Sequence, residues 1–321
     1  MGLVKALVFR EKLALEEVPK AIPGPGEALI KVSIAGICKT DVEISRGYMD
    51  FQGIPGHEFV GIVESSPDPR QVGTRVVGEI NVGCGNCSQC RQGLERHCLS
   101  RTVLGILGRN GAFAEYLTLP ASNLVCVPAS LPDEKAVFVE PLAAALEILD
   151  QVAIRPTDRV LVIGDGKLGL LVSMALRPTG CDLQLVGKHP RKLDLFARLG
   201  GSVQVLEHFS GSEHGFDVVV EASGHPSGWE FALKMVKPRG TIVLKSTFHG
   251  SFNFNPAPLV INEITVVGSR CGKFAPALRL MESGIIDPTP LISGSFRLED
   301  IEEAFKRSVE KEYIKVLVKM T

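Results

Sequence analysis

A chain of 321 residues, 45% of them hydrophobic, is longer than one core usually serves, so two domains are expected. Its net charge of -1 and lack of a Lys/Arg block argue against a nucleic-acid or anionic-membrane partner. No apolar run approaches the roughly 18–20 residues that span a bilayer, and the opening Met1-Gly2-Leu3-Val4-Lys5-Ala6-Leu7 is unlike a signal peptide, so a soluble, cytoplasmic protein is expected.

Up to the region of Pro141 the chain reads as β-rich and interrupted by Gly and Pro. Strands are predicted at 29–34, 59–63 and 75–77, a density that implies a barrel-like or sandwich module. From Pro141 the pattern changes. Leu142, Ala145, Leu146 and Leu149 make one apolar helical face, and strands then follow at 160–163, 183–186, 203–206, 216–220, 241–244 and 264–267. Helical patterns lie between them at 191–199 and 227–236, as a doubly wound parallel sheet requires. The stretch 207–215 is short for a crossover helix, so an irregular link is expected there. Helical patterns at 276–282 and 298–308 and a strand at 314–318 complete the chain, with no internal repeat.

The run from Arg159 to Gly169 joins an apolar β-branched strand to a G-x-G-x-x-G turn. Leu168, Leu171, Val172 and Ala175 continue it at helical spacing. Gly164 would allow the tight turn, Gly166 a close approach of backbone to a pyrophosphate, and Gly169 helix-on-strand packing, with Lys167 and Leu168 opening the helix toward the phosphates. Taken alone, such a motif also suits a plain tight connection. An acidic residue at the end of the next strand would accept the ribose hydroxyls of NAD; here that place falls on Gly187, followed by Lys188, His189, Pro190, Arg191 and Lys192. A small neutral residue with cations beside it fits a 2′-phosphate, so NADP(H) is expected in preference to NAD(H); the other reading is a solvated helix start. Ser246 and Arg270, just after predicted strands, are further candidate cofactor neighbours, although any strand ends in some polar loop.

Of eight cysteines, Cys84, Cys87, Cys90 and Cys98 form C-x2-C-x2-C-x7-C. Four thiolates close the coordination of a structural zinc; an iron–sulfur centre and unliganded thiols are the rival readings. His97 is read as a surface residue of this lobe, and Cys126, Cys181 and Cys271 as buried thiols without a role. A second constellation comprises Gly36-Ile37-Cys38-Lys39-Thr40-Asp41, Gly56-His57-Glu58 and Glu140-Pro141. Cys, His and a carboxylate can hold a catalytic zinc with one open position, while each residue alone suits a buried thiol or a surface pair.

Together with Gly111-Ala112-Phe113-Ala114-Glu115-Tyr116 and the central turn, these motifs resemble the zinc-dependent medium-chain dehydrogenases, in the family's order and over nearly the whole chain. Glu140 stands where many alcohol dehydrogenases carry a second cysteine ligand, a pattern more like the polyol and threonine dehydrogenase branches. The resemblance implies a GroES-like catalytic domain, 1–140 and 270–321, around a Rossmann domain, 141–269. It implies that Cys38 and His57 bind zinc while Glu58 and Glu140 compete for the third place. Thr40 matches the hydroxyl that starts a proton relay, Asp41 is structural, and Glu43 replaces the relay histidine of many relatives. Glu221-Ala222-Ser223-Gly224 resembles a segment that borders the nucleotide. The implied activity is hydride transfer between an alcohol or polyol, or its carbonyl, and a nicotinamide cofactor, with two zinc ions per chain and a dimer or tetramer. A zinc-free enone or quinone reductase and a non-catalytic nucleotide-binding protein are the alternatives.

Overall fold

The computed structural model describes residues 2–247 and 254–320. The chain divides into two compact units, Met1–Glu140 with Phe274–Thr321, and Pro141–Lys273. Re-entry into the first unit falls at Phe274 and not at 270, because the intervening residues are tied to the second. The Arg270 carbonyl accepts from Lys245 Nζ at 3.0 Å, and Lys273 faces Asp150 at 3.7 Å.

The first unit is built on a seven-stranded sheet. Its path runs Leu124–Cys126, Arg75–Gly78, Glu58–Ser65, Glu27–Gly36, Lys315–Lys319 and Ile292–Arg297, with Tyr116–Pro120 also on Glu27–Gly36. The strand predicted at 29–34 extends to Gly36 because two neighbours pair with its end: Gly36 lies opposite Glu58 on one side and Leu317 on the other. This crossing brings the chain's last strand to the segment that precedes Cys38. Ile30, Val32 and Ile34 alternate inward, at most 2% exposed, as a strand facing a core requires. A small sheet of Asn81–Val82, Thr102–Leu104 and Gly108–Arg109 brackets the cysteine lobe.

The second unit is a six-stranded parallel sheet: β1 Arg159–Ile163, β2 Asp182–Gly187, β3 Ser202–Val205, β4 Phe216–Glu221, β5 Val236–Leu244 and β6 Thr265–Gly268. The order is β3-β2-β1-β4-β5-β6, the doubly wound arrangement with its switch point beside β1. Val160, Leu161 and Val162 are fully buried, which explains why β1 is uninterrupted apolar sequence without alternation. Helices α1 Lys167–Leu176, α2 Pro190–Arg198 and α3 Pro226–Met235 follow β1, β2 and β4. Between β3 and β4 the chain makes a 3-10 turn, Leu206–His208, in place of a crossover helix, which is the irregular link its length dictates.

Candidate functional site

Three donors converge in the first unit: ligand atoms of Cys38, His57 and Glu58 lie within 4.8 Å of one another. Cys38 N-caps the helix Lys39–Ile44, and His57 directly precedes the strand that begins at Glu58. Asp41 fastens these two segments. It is fully buried, accepts the Cys38 backbone N–H at 2.8 Å and the Gly56 N–H at 3.2 Å, and stands 3.2 Å from His57 Nδ1. Nδ1 faces this carboxylate without a hydrogen bond of good geometry, and Nε2 is the ring nitrogen on the other side. Burial disfavours a charged His57, but the Asp41 carboxylate and the Cys38 sulfur outweigh it and raise the imidazole pKa well above its ordinary value. Asp41→Asn should therefore weaken zinc retention about 10–100-fold without removing a ligand, measured by competition with a chelator.

Glu140 opens the helix Val139–Gln151, half-buried, and lies outside the convergent group. The Thr40 hydroxyl is 3.8 Å from Cys38 Sγ. Glu43, where relatives carry a relay histidine, pairs with Arg46 at 3.1 Å.

Lys315 is a residue that sequence reasoning missed. It is fully buried, and its ammonium forms an ion pair with the fully buried Glu58 through Oε2. The Phe138 ring centroid is 5.6 Å from the same Nζ, within cation–π range. Burial pulls the Lys315 ammonium down to about 8, with the charges of Cys38 and Asp41 opposing the fall. A Cβ on Gly36 would lie 2.5 Å from Lys315 Cε and 2.7 Å from Glu58 Oε2, so any larger residue there would push the ion pair aside.

In the lobe, the sulfurs of Cys84, Cys87, Cys90 and Cys98 also gather within 4.8 Å, with Cys87 Sγ 3.5 Å from Cys90 Sγ and 3.7 Å from Cys98 Sγ. Backbone N–H groups of Asn86 and Cys87 lower the Cys84 thiol to about 6, whereas burial raises that of Cys90 to about 12. A four-sulfur set suits zinc in a closed, structural role. His97 is exposed, as expected. The other cysteines are not the buried thiols expected: Cys126 is exposed because it ends an edge strand, and Cys181 and Cys271 are half-buried in connecting segments.

The glycine turn joins β1 to α1 in the second unit. Gly164 has φ +116°, open to glycine, and a Cβ on Gly169 would collide with the Gly164 carbonyl. Gly166 differs. Its φ of -74° suits any residue, and a Cβ there would meet nothing within 4 Å. The fold does not require glycine at 166, whereas a pyrophosphate seated on the α1 N-terminus would. Gly166→Ala should leave the melting temperature unchanged and weaken dinucleotide binding about tenfold or more, measured by calorimetry.

Lys167 and Leu168 begin α1. Gly187 ends β2, and Lys188 and Arg191 are exposed just beyond it. Past β4, the Glu221 carboxylate is nearly buried and accepts the Ser223 N–H at 2.8 Å, so it serves the turn through Ala222; the Gly224 N–H donates to Ser246 Oγ at 2.7 Å. Lys245 places its three protons on Ala144 O, Ser269 Oγ and Arg270 O at 2.6, 3.1 and 3.0 Å, while the Arg270 side chain is exposed.

A doubly wound nucleotide sheet, a β-rich unit with a Cys-His-Glu donor set and a four-cysteine lobe define a metal-binding, dinucleotide-dependent oxidoreductase class. Residues 24–129 match the alcohol dehydrogenase GroES-like domain, and residues 168–283 the zinc-binding dehydrogenase domain. The chain is 31% identical to the L-threonine 3-dehydrogenase of Streptomyces avermitilis, over 99% of this chain and 100% of that protein. Among solved structures it is similar to the alcohol dehydrogenase rspB of Escherichia coli CFT073 in complex with NADH, with TM-score 0.92, 26% identity and 99% of each chain covered. It is also similar to a zinc-binding dehydrogenase of Sinorhizobium meliloti 1021 bound to NADP, with TM-score 0.91, 26% identity and 99% and 100% coverage. The chain belongs to the zinc-type medium-chain alcohol dehydrogenase family, as oxidoreductases that use a nicotinamide dinucleotide. Among the described residues no helix is long and apolar enough to cross a membrane.

Proposed function

We propose that this protein is a zinc-dependent, NADP(H)-using dehydrogenase of alcohols, polyols or amino alcohols. The observation that carries the reading is the convergence of Cys38, His57 and Glu58 within 4.8 Å, with Asp41 fixing the segments that bear them. A thiolate, an imidazole nitrogen and a carboxylate fit zinc, and three protein ligands leave one position for substrate. Cys38 and His57 are constant ligands in this reading. Glu58 and Glu140 share the third place, with Glu58 held at rest by Lys315. Cys84, Cys87, Cys90 and Cys98 hold the second, structural zinc.

When bound, zinc supplies Lewis acidity at the substrate oxygen, and the nicotinamide supplies the hydride acceptor. The protein's own part is positioning and proton traffic. Thr40, beside the Cys38 sulfur, relays a proton: its oxygen takes the alcohol's hydroxyl proton as its own hydroxyl proton passes on toward solvent, and the reverse reaction runs the exchange backwards. Asp41 keeps the His57 ring oriented. The turn at Gly164, Gly166 and Gly169 holds the pyrophosphate. Gly187 with Lys188, His189 and Arg191 accommodates the 2′-phosphate, and Glu221, Ala222, Ser246 and Arg270 border the nucleotide from the remaining strand ends.

We also propose a homo-oligomer, dimer or tetramer. The outer edge of β6 and the helix Ala257–Ile261 support it, since Val260 and Ile261 are each 76% exposed. A monomer mass in sedimentation would remove that part.

The test is a substrate panel on zinc-replete protein with both cofactors and in both directions. Alcohol oxidation that requires zinc and prefers NADP+ is expected. Turnover of enones by zinc-free protein would favour the reductase alternative, and tight NADPH binding without any turnover would favour a non-catalytic role.

A further inference from the structure

β2 ends in glycine where an acidic residue would meet the ribose of NAD, yet a carboxylate does stand at that place, delivered by a different element. Asp165, the middle residue of the glycine turn, is 7% exposed and lies across the tip of β2. A Cβ on Gly187 would come within 2.5 Å of Asp165 Cγ and Oδ2. Gly187 is therefore small because Asp165 fills the space its side chain would take.

The carboxylate is committed to one neighbour. Oδ2 accepts the His189 backbone N–H at 2.5 Å, and Oδ1 and Oδ2 each lie 3.1 Å from His189 Nδ1. Of the two side chains, Asp165 is 10% exposed and His189 38%, so the group presented to solvent beyond β2 is the imidazole, through Nε2. Two contacts to one residue fix both the backbone and the ring of His189, which N-caps α2. Lys188 and Arg191 are exposed on either side, and Lys192 is near enough for the Asp165 charge to oppose the lowering of its ammonium pKa by burial.

We propose that Asp165 is a specificity-determining positioning residue. By clamping His189 it fixes an imidazole donor, flanked by Lys188 and Arg191, at the place where the 2′-phosphate of NADP(H) binds. The proposal rests on the NADP(H) reading above and adds to it that the selectivity is built from inside the glycine turn. The carboxylate holds the ring and the backbone of His189 in place, so it acts on the phosphate contact through that residue and does not meet the phosphate itself.

The experiment is calorimetric titration of NADP+ and NAD+ into full-length wild-type protein, Asp165→Asn, His189→Gln and the double variant. Asp165→Asn should weaken NADP+ about tenfold, the value of one charge-assisted hydrogen bond, and leave NAD+ within about twofold, which also certifies the fold. The double variant should bind NADP+ at most about twofold more weakly than His189→Gln alone, because the proposed effect of Asp165 on the phosphate runs through that ring. Tighter NADP+ binding by Asp165→Asn would overturn the proposal by making Asp165 a ribose acceptor that repels phosphate. Equal losses for both cofactors would overturn it by reducing Asp165 to turn packing, and additive losses in the double variant would break the link to His189. A wild type that prefers NAD+ defeats the NADP(H) reading and this proposal with it. A wild-type NADP+ preference that is undiminished in Asp165→Asn defeats the proposal alone.

Discussion

Cys38→Ser is expected to lower turnover by about a thousandfold or more, because a Lewis acid contributes several kcal/mol at the reacting oxygen and each 1.36 kcal/mol is tenfold in rate. Serine keeps the size and cap position of Cys38 but offers a poor ligand in place of a thiolate. Nucleotide affinity should stay within about twofold, since Cys38 belongs to the first unit and the glycine turn to the second. Metal content separates this reading from a damaged fold. Among the described residues there are two donor sets, and only one contains Cys38, so elemental analysis should show loss of one zinc per chain with the cysteine lobe still loaded. His57→Ala should behave alike. Turnover retained in metal-free Cys38→Ser protein would sink the zinc mechanism, and loss of both metals together would mean that the substitution had unfolded the unit.

The parts of this molecule that were legible in the sequence are those whose cause is local. The β1 strand and its turn are written in a continuous apolar run followed by three glycines, since a strand buried on both faces and a phosphate turn each constrain consecutive residues. The four cysteines fall within one lobe, so their spacing alone leads to the gathering of their sulfurs within 4.8 Å. Strand ends were less legible: Glu27–Gly36 outruns its alternating pattern because Glu58 and Leu317 pair with its last residue. β5 begins at Val236 because Val236 pairs with Phe216 ahead of a register shift, although Thr241 is where its regular apolar sequence starts. Least legible were contacts made by distant residues. Nothing in 314–318 marks Lys315 as different from a lysine at the edge of a strand, and only the crossing of the last strand against Glu27–Gly36 buries it on Glu58. What sits beside Gly187 was equally illegible, because the side chain that fills the space there, Asp165, belongs to the neighbouring turn. Asp41 was read as structural; the fold shows which two segments it joins.

Lys315→Met should destabilise the protein by about 3–5 kcal/mol, the usual result of leaving one member of a buried ion pair without its counter-charge. Methionine matches the length of the lysine stem, so Phe138 keeps its apolar neighbour and the penalty falls on Glu58. Lys315→Met with Glu58→Gln should recover most of the loss, since removing both charges leaves no buried ion. The metal supplies a second readout. In the wild type Glu58 is held by the ammonium; in Lys315→Met that counter-charge is gone, and zinc held beside Cys38 and His57 would supply positive charge to the carboxylate. Zinc should therefore raise the melting temperature of Lys315→Met by more than it raises that of the wild type, because a ligand that binds the native state more tightly stabilises it more. Alcohol turnover should fall in the same variant, for a Glu58 carboxylate that cannot withdraw no longer shares the third place with Glu140 as the proposed reading requires. If zinc shifts both melting temperatures equally while the double variant still restores stability, Lys315 neutralises Glu58 for the fold and has no part in governing the third ligand.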